Sequence, residues 1–147
     1  APGTRAGDLH WAVGAQALRL SPVVLPGLRL HRLGGFLALV PDGDDSALRA
    51  MAASVVDSLD AFRAAPTPDE IARRAPDRLT PRQRAHLDRW GYPFVMDEFR
   101  FHITLTGELA AAEAAAVRAA LAPVLAPLLP RPFAVDSLCL FGEAEDG

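Results

Sequence analysis

The sequence predicts an α+β protein in which an antiparallel-rich sheet carries helices on one side. Three observations point there. Helix-like and strand-like segments follow one another as helix, two strands, helix, helical insertion, strand, helix and strand, an order that suits an α+β sheet. Two β-rich runs meet at Gly34-Gly35, a hairpin signal. Residues 99–106 alternate strictly between apolar and polar side chains, the period of a half-buried strand. With 147 residues the chain reads as one domain, 1–147, long enough to enclose a core.

A first helix is expected over Gly7–Leu20, with Leu9, Val13, Ala17 and Leu20 near one face. Pro22 stops it, because proline lacks the N–H and its ring clashes with the preceding turn. Val23–Leu33 and Phe36–Val40 are the two β-rich runs, the first broken or bulged at Pro26-Gly27. Asp44, Asp45 or Ser46 can cap the next helix, which carries Leu48, Met51, Ala52, Val55, Leu59 and Phe62 on one stripe. Residues 66–91 form a helical insertion. There Thr67-Pro68-Asp69-Glu70 and Thr80-Pro81-Arg82-Gln83 each set a threonine cap before proline, with an acidic or amide residue at the third helical position. The insertion is rich in arginine and aspartate and poor in large apolar residues, so it reads as a solvated segment rather than a phosphate-binding patch.

Trp90-Gly91-Tyr92-Pro93 leads from the insertion into the central strand. Glu108–Leu129 is alanine-rich and helical, with Leu109, Ala112, Ala116, Val117, Ala120 and Leu121 available for packing and Pro123 and Pro127 shortening its end. Phe133–Phe141 is a last strand, and Glu143–Gly147 an acidic, frayed tail. No internal repeat is visible.

Composition excludes several functions. Hydrophobic residues make up 50% of the chain and its net charge is −3, which argues against disorder and against general nucleic-acid binding. All fifteen basic residues are arginine. Without lysine there is no Schiff-base chemistry and no phosphate-binding loop of the glycine-rich, lysine-containing type. An anionic substrate must therefore be held by arginine, imidazole, hydroxyl or backbone N–H. The single cysteine, Cys139, excludes an intramolecular disulfide and a multi-cysteine zinc site, and its apolar surroundings read as those of a small buried hydrophobe. No apolar stretch reaches membrane-spanning length and no secretory signal is visible, so a cytoplasmic location is the default.

The candidate site lies in Phe99-Arg100-Phe101-His102-Ile103-Thr104-Leu105-Thr106-Gly107. On a strand, Phe99, Phe101, Ile103 and Leu105 take one face and Arg100, His102, Thr104 and Thr106 the other. Residues two apart are about 7 Å apart at Cα, so His102 and Thr104 can touch one small anionic group. The plainer alternative is a half-buried strand whose polar face meets water.

His102-Ile103-Thr104-Leu105 resembles the His-hydrophobic-Thr-hydrophobic signature of the two-histidine phosphoesterase superfamily. Leu79–Gln83, Arg89–Pro93 and Glu98–Gly107, taken in order, resemble its phosphonate-metabolism branch more particularly, as do Arg32–Pro41 and Asp136–Phe141. The likeness spans essentially the whole chain. It implies a two-lobed, LigT-like α+β fold with pseudo-twofold symmetry, each lobe giving one motif strand to a central cleft. It also implies 2′,3′-cyclic or related small phosphoesters or nucleotides as substrates, with no metal and no cofactor. One histidine would take a proton from the attacking water or hydroxyl, and the other would protonate the leaving oxygen. Imidazole suits both tasks because its unperturbed pKa lies near neutrality. His102 and Thr104 match the motif as catalytic residues, the threonine hydroxyl steadying a phosphate oxygen. Arg100, Thr106 and Tyr92 are candidate substrate-binding residues. Tyr92 could instead anchor the insertion, and Arg100 and Thr106 could support packing.

One part of the pattern is missing. Superfamily members carry an earlier His-x-Thr motif, and Ala1-Pro2-Gly3-Thr4 with the helix after it resembles the segment that follows that motif. The resemblance therefore implies an incomplete fold that also lacks a closing strand, and homo-oligomer formation or strand exchange is one way to complete it. The other histidines do not fill the gap. His10 precedes alanine at the hydroxyl position, His31 precedes Leu33 there, and His86 lies in the charged insertion, so all three read as surface or boundary residues. Three functions remain open: a metal-independent phosphoesterase linked to phosphonate metabolism, a non-catalytic phosphate- or nucleotide-binding protein, and one half of an assembly.

Overall fold

A computed structural model describes residues 6–142. Five helices, α1 (Ala6–Ala17), α2 (Ser46–Leu59), α3 (Pro68–Arg73), α4 (Pro81–Trp90) and α5 (Ala111–Leu125), accompany five strands among the described residues. The strands are β1 (Val23–Leu25), β2 (Gly27–Leu33), β3 (Phe36–Asp42), β4 (Ile103–Thr104) and β5 (Phe133–Val135), and every pairing is antiparallel. The chain divides into two compact units, a sheet unit of Val23–Leu48 and Arg100–Val135 and a helical unit of the remaining segments.

In the sheet unit the Gly34-Gly35 turn closes the expected hairpin, and β2 pairs with β3 along its whole length, from Gly27 opposite Asp42 to Leu33 opposite Phe36. Pro26 breaks the first run as expected, but the break separates two sheets. β1 pairs only with β5, whereas β2, β3 and β4 form a second sheet in that order. Glycine is required at position 27, because a Cβ there would stand 2.9 Å from the Arg131 side chain. That close approach accompanies an ion pair between Arg131 and Asp42 at 2.7 Å. Leu28 and Leu37 are fully buried, with Leu25, Ala38 and Val40 close behind. Each buried leucine contributes about 1.5–3 kcal/mol. α5 packs against β2 and β3. Its inward row is Ala114, Val117, Leu121 and Leu125, so Ala112, Ala116 and Ala120 from the expected packing set face solvent.

The strand expected over Phe133–Phe141 ends at Val135. Its partner β1 lies between Pro22 and Pro26, and the ladder stops where β1 stops, at Val23 opposite Val135. Residues 136–142 therefore leave the sheet, and Cys139 is exposed instead of buried. Glu143–Gly147 and Ala1–Thr4 lie outside the described residues.

The helical unit follows its capping signals closely. Thr67 and Thr80 both form the expected capping boxes, with Glu70 and Gln83. α1 ends at Ala17, short of the expected Leu20; Leu9 and Val13 are half-buried but Ala17 is exposed, and the most buried side chain is Gln16, whose Nε2 donates to Ser54 Oγ at 2.9 Å. α2 runs from Ser46, whose N–H donates to Asp44 Oδ1, and its stripe is half-buried beyond the fully buried Leu48.

His86 corrects the sequence reading. It is 5% exposed, with Nε2 2.7 Å from Asp97 Oδ1. The cause is the segment after α4, which turns back with Pro93 and Val95 buried and brings Asp97 against the His86 ring. Since a carboxylate only accepts, His86 Nε2 carries the proton of this bond. Arg82 grips the same carboxylate through Nε and Nη2, and Gln83 reaches Glu98 at 3.0 Å. The bonds from Arg82 first, then His86, hold the Asp97 carboxyl well below the usual aspartate range.

His86→Ala should destabilise the protein by about 2 kcal/mol, read from denaturant unfolding, because it empties a buried ring site and strips one bond from Asp97. Because Asp97 has a lowered folded pKa, its contribution is complete above the ordinary aspartate pKa and is lost as pH falls below it. Asp97→Asn should therefore flatten the acid limb of the stability profile below about pH 4. An unchanged acid limb would count against the ion-pair account.

Candidate functional site

The candidate residues sit where β4 joins β3. Ile103 pairs with Leu39 and Thr104 with Ala38, and Leu105 N–H donates to Leu37 O at 2.9 Å, continuing the same register. β4 is two residues long and lies at the sheet edge, not at its centre. Directly opposed residues of an antiparallel pair share a face. Thr104 therefore shares the face of Ala38, and the His102 ring lies 5.8 Å from Phe36, which alternation puts on that same face.

The opposite face departs from expectation. Phe101 is half-buried, with its ring 5.7 Å from Phe133, but Ile103 and Leu105 are 42% and 37% exposed. An edge strand this short has no described neighbour on its outer side to cover them.

His102 is exposed, and its Nδ1 lies 2.8 Å from the Arg100 carbonyl oxygen. A carbonyl can only accept, so Nδ1 carries the proton of this bond, which in the neutral tautomer leaves the lone pair on Nε2. Among the described residues Nε2 has no hydrogen-bond partner, and neither has the Thr104 hydroxyl. Arg100 is also exposed, and its guanidinium makes no ion pair among the described residues. A nitrogen base, a hydroxyl and a cation are thus available within one short segment.

Thr106 is occupied differently. Its Oγ1 accepts from Leu37 N–H at 3.0 Å and donates to Gly107 O at 2.9 Å. The hydroxyl stands in for the next carbonyl of the ladder, so Thr106 secures the end of β4. Tyr92 belongs to the helical unit. The Arg74 guanidinium lies 4.8 Å above its ring, and Phe94 meets it edge-on at 5.7 Å, as an anchor for the insertion would require.

Register adds two residues that the linear motif did not single out. His31 is opposite Ala38 and Arg29 opposite Val40, so both share the face of Thr104. Arg29 Nη1 lies 3.1 Å from His31 Nδ1. With strands about 4.8 Å apart, His31 and Thr104 flank Ala38 at roughly 10 Å from each other. Only strand order reveals this, since 73 positions of unrelated sequence separate them. His10 is exposed and His31 half-buried, as expected of surface and boundary residues. Among the described residues no group of three or more histidine, cysteine or acidic side chains could hold a metal, and no helix is long and apolar enough to cross a membrane.

A family model described as a protein of unknown function (DUF1045) matches residues 1–147. A protein named ribose 1,5-bisphosphate phosphokinase PhnN from Janthinobacterium sp. (strain Marseille) is 36% identical over 129 residues, covering 85% of this chain and 28% of that protein. One of the same name from Laribacter hongkongensis (strain HLHK9) is 35% identical over 115 residues, 78% of this chain and 26% of its own length. The chain thus spans about a quarter of the curated relatives it matches. No solved structure matches it.

Thr106→Val should cost about 1–2 kcal/mol in denaturant unfolding, because Leu37 N–H loses its acceptor, whereas Thr106→Ser should stay close to wild type. Equal loss in both variants would mean that the methyl group matters and the hydroxyl does not.

Proposed function

The chain belongs to the DUF1045 family of proteins of unknown function, and on that footing we propose that it is a metal-independent phosphoesterase acting on a small cyclic or diester phosphate, with a role in phosphonate metabolism. The observation that carries this reading is the His102 ring, held by Arg100 O through Nδ1 with Nε2 unengaged among the described residues, two positions before Thr104. That tautomer is the one a general base needs. Nε2 takes the proton of the attacking water or hydroxyl as its oxygen bonds to phosphorus. The Thr104 hydroxyl donates to a phosphoryl oxygen as negative charge builds there. Arg100 supplies positive charge, and Arg29 adds more on the same face of the sheet. A second acid must protonate the departing oxygen, and the resemblance to two-histidine phosphoesterases assigns that task to a second motif.

The relatives' name speaks of a phosphorylated ribose, which supports a phosphoester ligand and a link to phosphonate metabolism. The kinase step in that name is not carried over. This chain holds no lysine and so no lysine-containing phosphate loop. Exposure of Ile103 and Leu105 beside an unpaired edge favours a second reading, in which the site is half of one completed by another segment or chain.

The test compares the full-length gene product with its His102→Ala variant on cyclic nucleotides and cyclic sugar phosphates, in excess EDTA. Hydrolysis should persist in EDTA, and His102→Ala should lower kcat by about 10²–10⁴-fold without shifting Tm, because the ring is exposed. Thr104→Ala should cost about tenfold or less, having lost one neutral hydrogen bond. Equal rates for wild type and His102→Ala would overturn the assignment. Phosphate-ester binding without turnover in wild type would favour the half-site reading.

A further inference from the structure

The helical unit contains a second feature that the His102 site does not use. A cavity of about 360 Å³ is lined by residues that include Arg63, Pro66, Glu70, Arg73, Arg74 and Gly91. That volume lies at the lower end of small-molecule sites. Local chain geometry builds it. α3 is a short capped helix that presents Arg73 in its last turn and Arg74 at its C-cap. Gly91 ends α4 with φ +72°, where only glycine is unstrained, and a Cβ there would stand 3.1 Å from the Arg63 guanidinium. Arg63 therefore lies against the end of α4 and donates to Arg89 O at 3.1 Å.

Charge at the cavity is unbalanced. Arg63 Nε at 2.8 Å and Arg89 Nη1 at 2.7 Å share the one carboxylate of Asp60. Glu70 is held by the Thr67 N–H at 2.7 Å. Arg74 rests on the Tyr92 ring, and Arg73 makes no hydrogen bond or ion pair among the described residues. Among the lining residues three guanidiniums, Arg63, Arg73 and Arg74, thus meet the single carboxylate of Glu70, leaving positive charge to be balanced by solvent ions or by a ligand. Converging like charges repel, and an anion seated among them removes that cost. Guanidinium groups match the oxygens of a phosphate in paired, charge-assisted hydrogen bonds. Arg63 and Arg74 are already oriented by their protein contacts, so binding orders few further groups.

We propose that this cavity is a binding site for a phosphomonoester dianion, with the phosphate held by Arg73 and Arg74 and the rest of a small ligand lying over Pro66 and Gly91. It is independent of the His102 site and of the reaction assigned there. The alternative is a merely solvated basic face, which would show no saturation.

Titration calorimetry on the full chain at low ionic strength tests the proposal with inorganic phosphate, glucose 6-phosphate and dimethyl phosphate. Saturable one-to-one binding of the two dianions is expected at millimolar affinity or tighter, with dimethyl phosphate, a monoanion, at least about tenfold weaker. Glucose 6-phosphate binding more tightly than inorganic phosphate would identify an organic ester as the preferred form. Arg73→Gln and Arg74→Gln should each weaken binding about tenfold or more, the scale of one hydrogen bond to a charged group. Arg118→Gln, at an exposed position of α5 in the sheet unit, should leave it unchanged. Arg73 makes no hydrogen bond or ion pair among the described residues and only a through-space attraction to Glu70, so its variant remains decisive if Arg74→Gln loosens Tyr92. Absence of saturation, full-strength binding by Arg73→Gln, or loss of binding in Arg118→Gln would each overturn the site.

Discussion

The attachment of β4 to β3 is the constraint on which the candidate chemistry depends. Two paired residues, the Leu105 N–H to Leu37 O bond and the Thr106 hydroxyl hold the strand in register. A slip of one residue would send His102 and Thr104 to the other face. Their partner can resist such a slip, because Leu37 and Ala38 are completely buried. Register is therefore set by burial in β3 and transmitted outward to a strand with little burial of its own. This explains why Thr106, which first suggests a ligand contact, is engaged as part of the ladder.

Arginine serves two purposes in this chain. Arg82, Arg89 and Arg131 are fastened to Asp97, Asp60 and Asp42 and tie together segments apart in sequence, while Arg63 holds the same Asp60 from three residues away. Such exposed pairs add little stability one by one. Their effect is to fix where loops lie, as with the turn that carries Asp97 to His86. Arg73 and Arg100 stand outside these clamps, one at the cavity and one beside His102. Charge left over after the structural pairings is what can meet an anion.

Much of the fold was legible because its signals are local. Thr67-Pro68 and Thr80-Pro81 mark helix starts through the geometry of a cap, Pro26 marks a break in a strand, and Gly34-Gly35 marks a turn. What the sequence hid was set by partners distant along the chain. β5 is short because prolines bound its partner β1, and Cys139 is exposed as a consequence. His86 looked like part of a solvated insertion, yet it is buried and Asp97, eleven residues on, gives it a hydrogen-bond partner. The His102 motif itself could be read from alternation and resemblance. The alignment of Arg29 and His31 with it could not, since it depends on the order β2-β3-β4.

The outer edge of β4 shows two different debts to solvent. Its unpaired backbone is tolerable, because a two-residue edge offers little template for another strand and water can satisfy its polar groups. Ile103 and Leu105 are different, since water gives no compensation for apolar surface. A strand laid along this edge would meet both needs and would extend the face that carries His102, Thr104 and Ala38. It would also reduce the water around Nε2 and strengthen any interaction there with a phosphate. Completing the sheet and enclosing the chemistry are therefore one physical event at this edge, and the side chains that ask for the first lie in the same four residues as those available for the second.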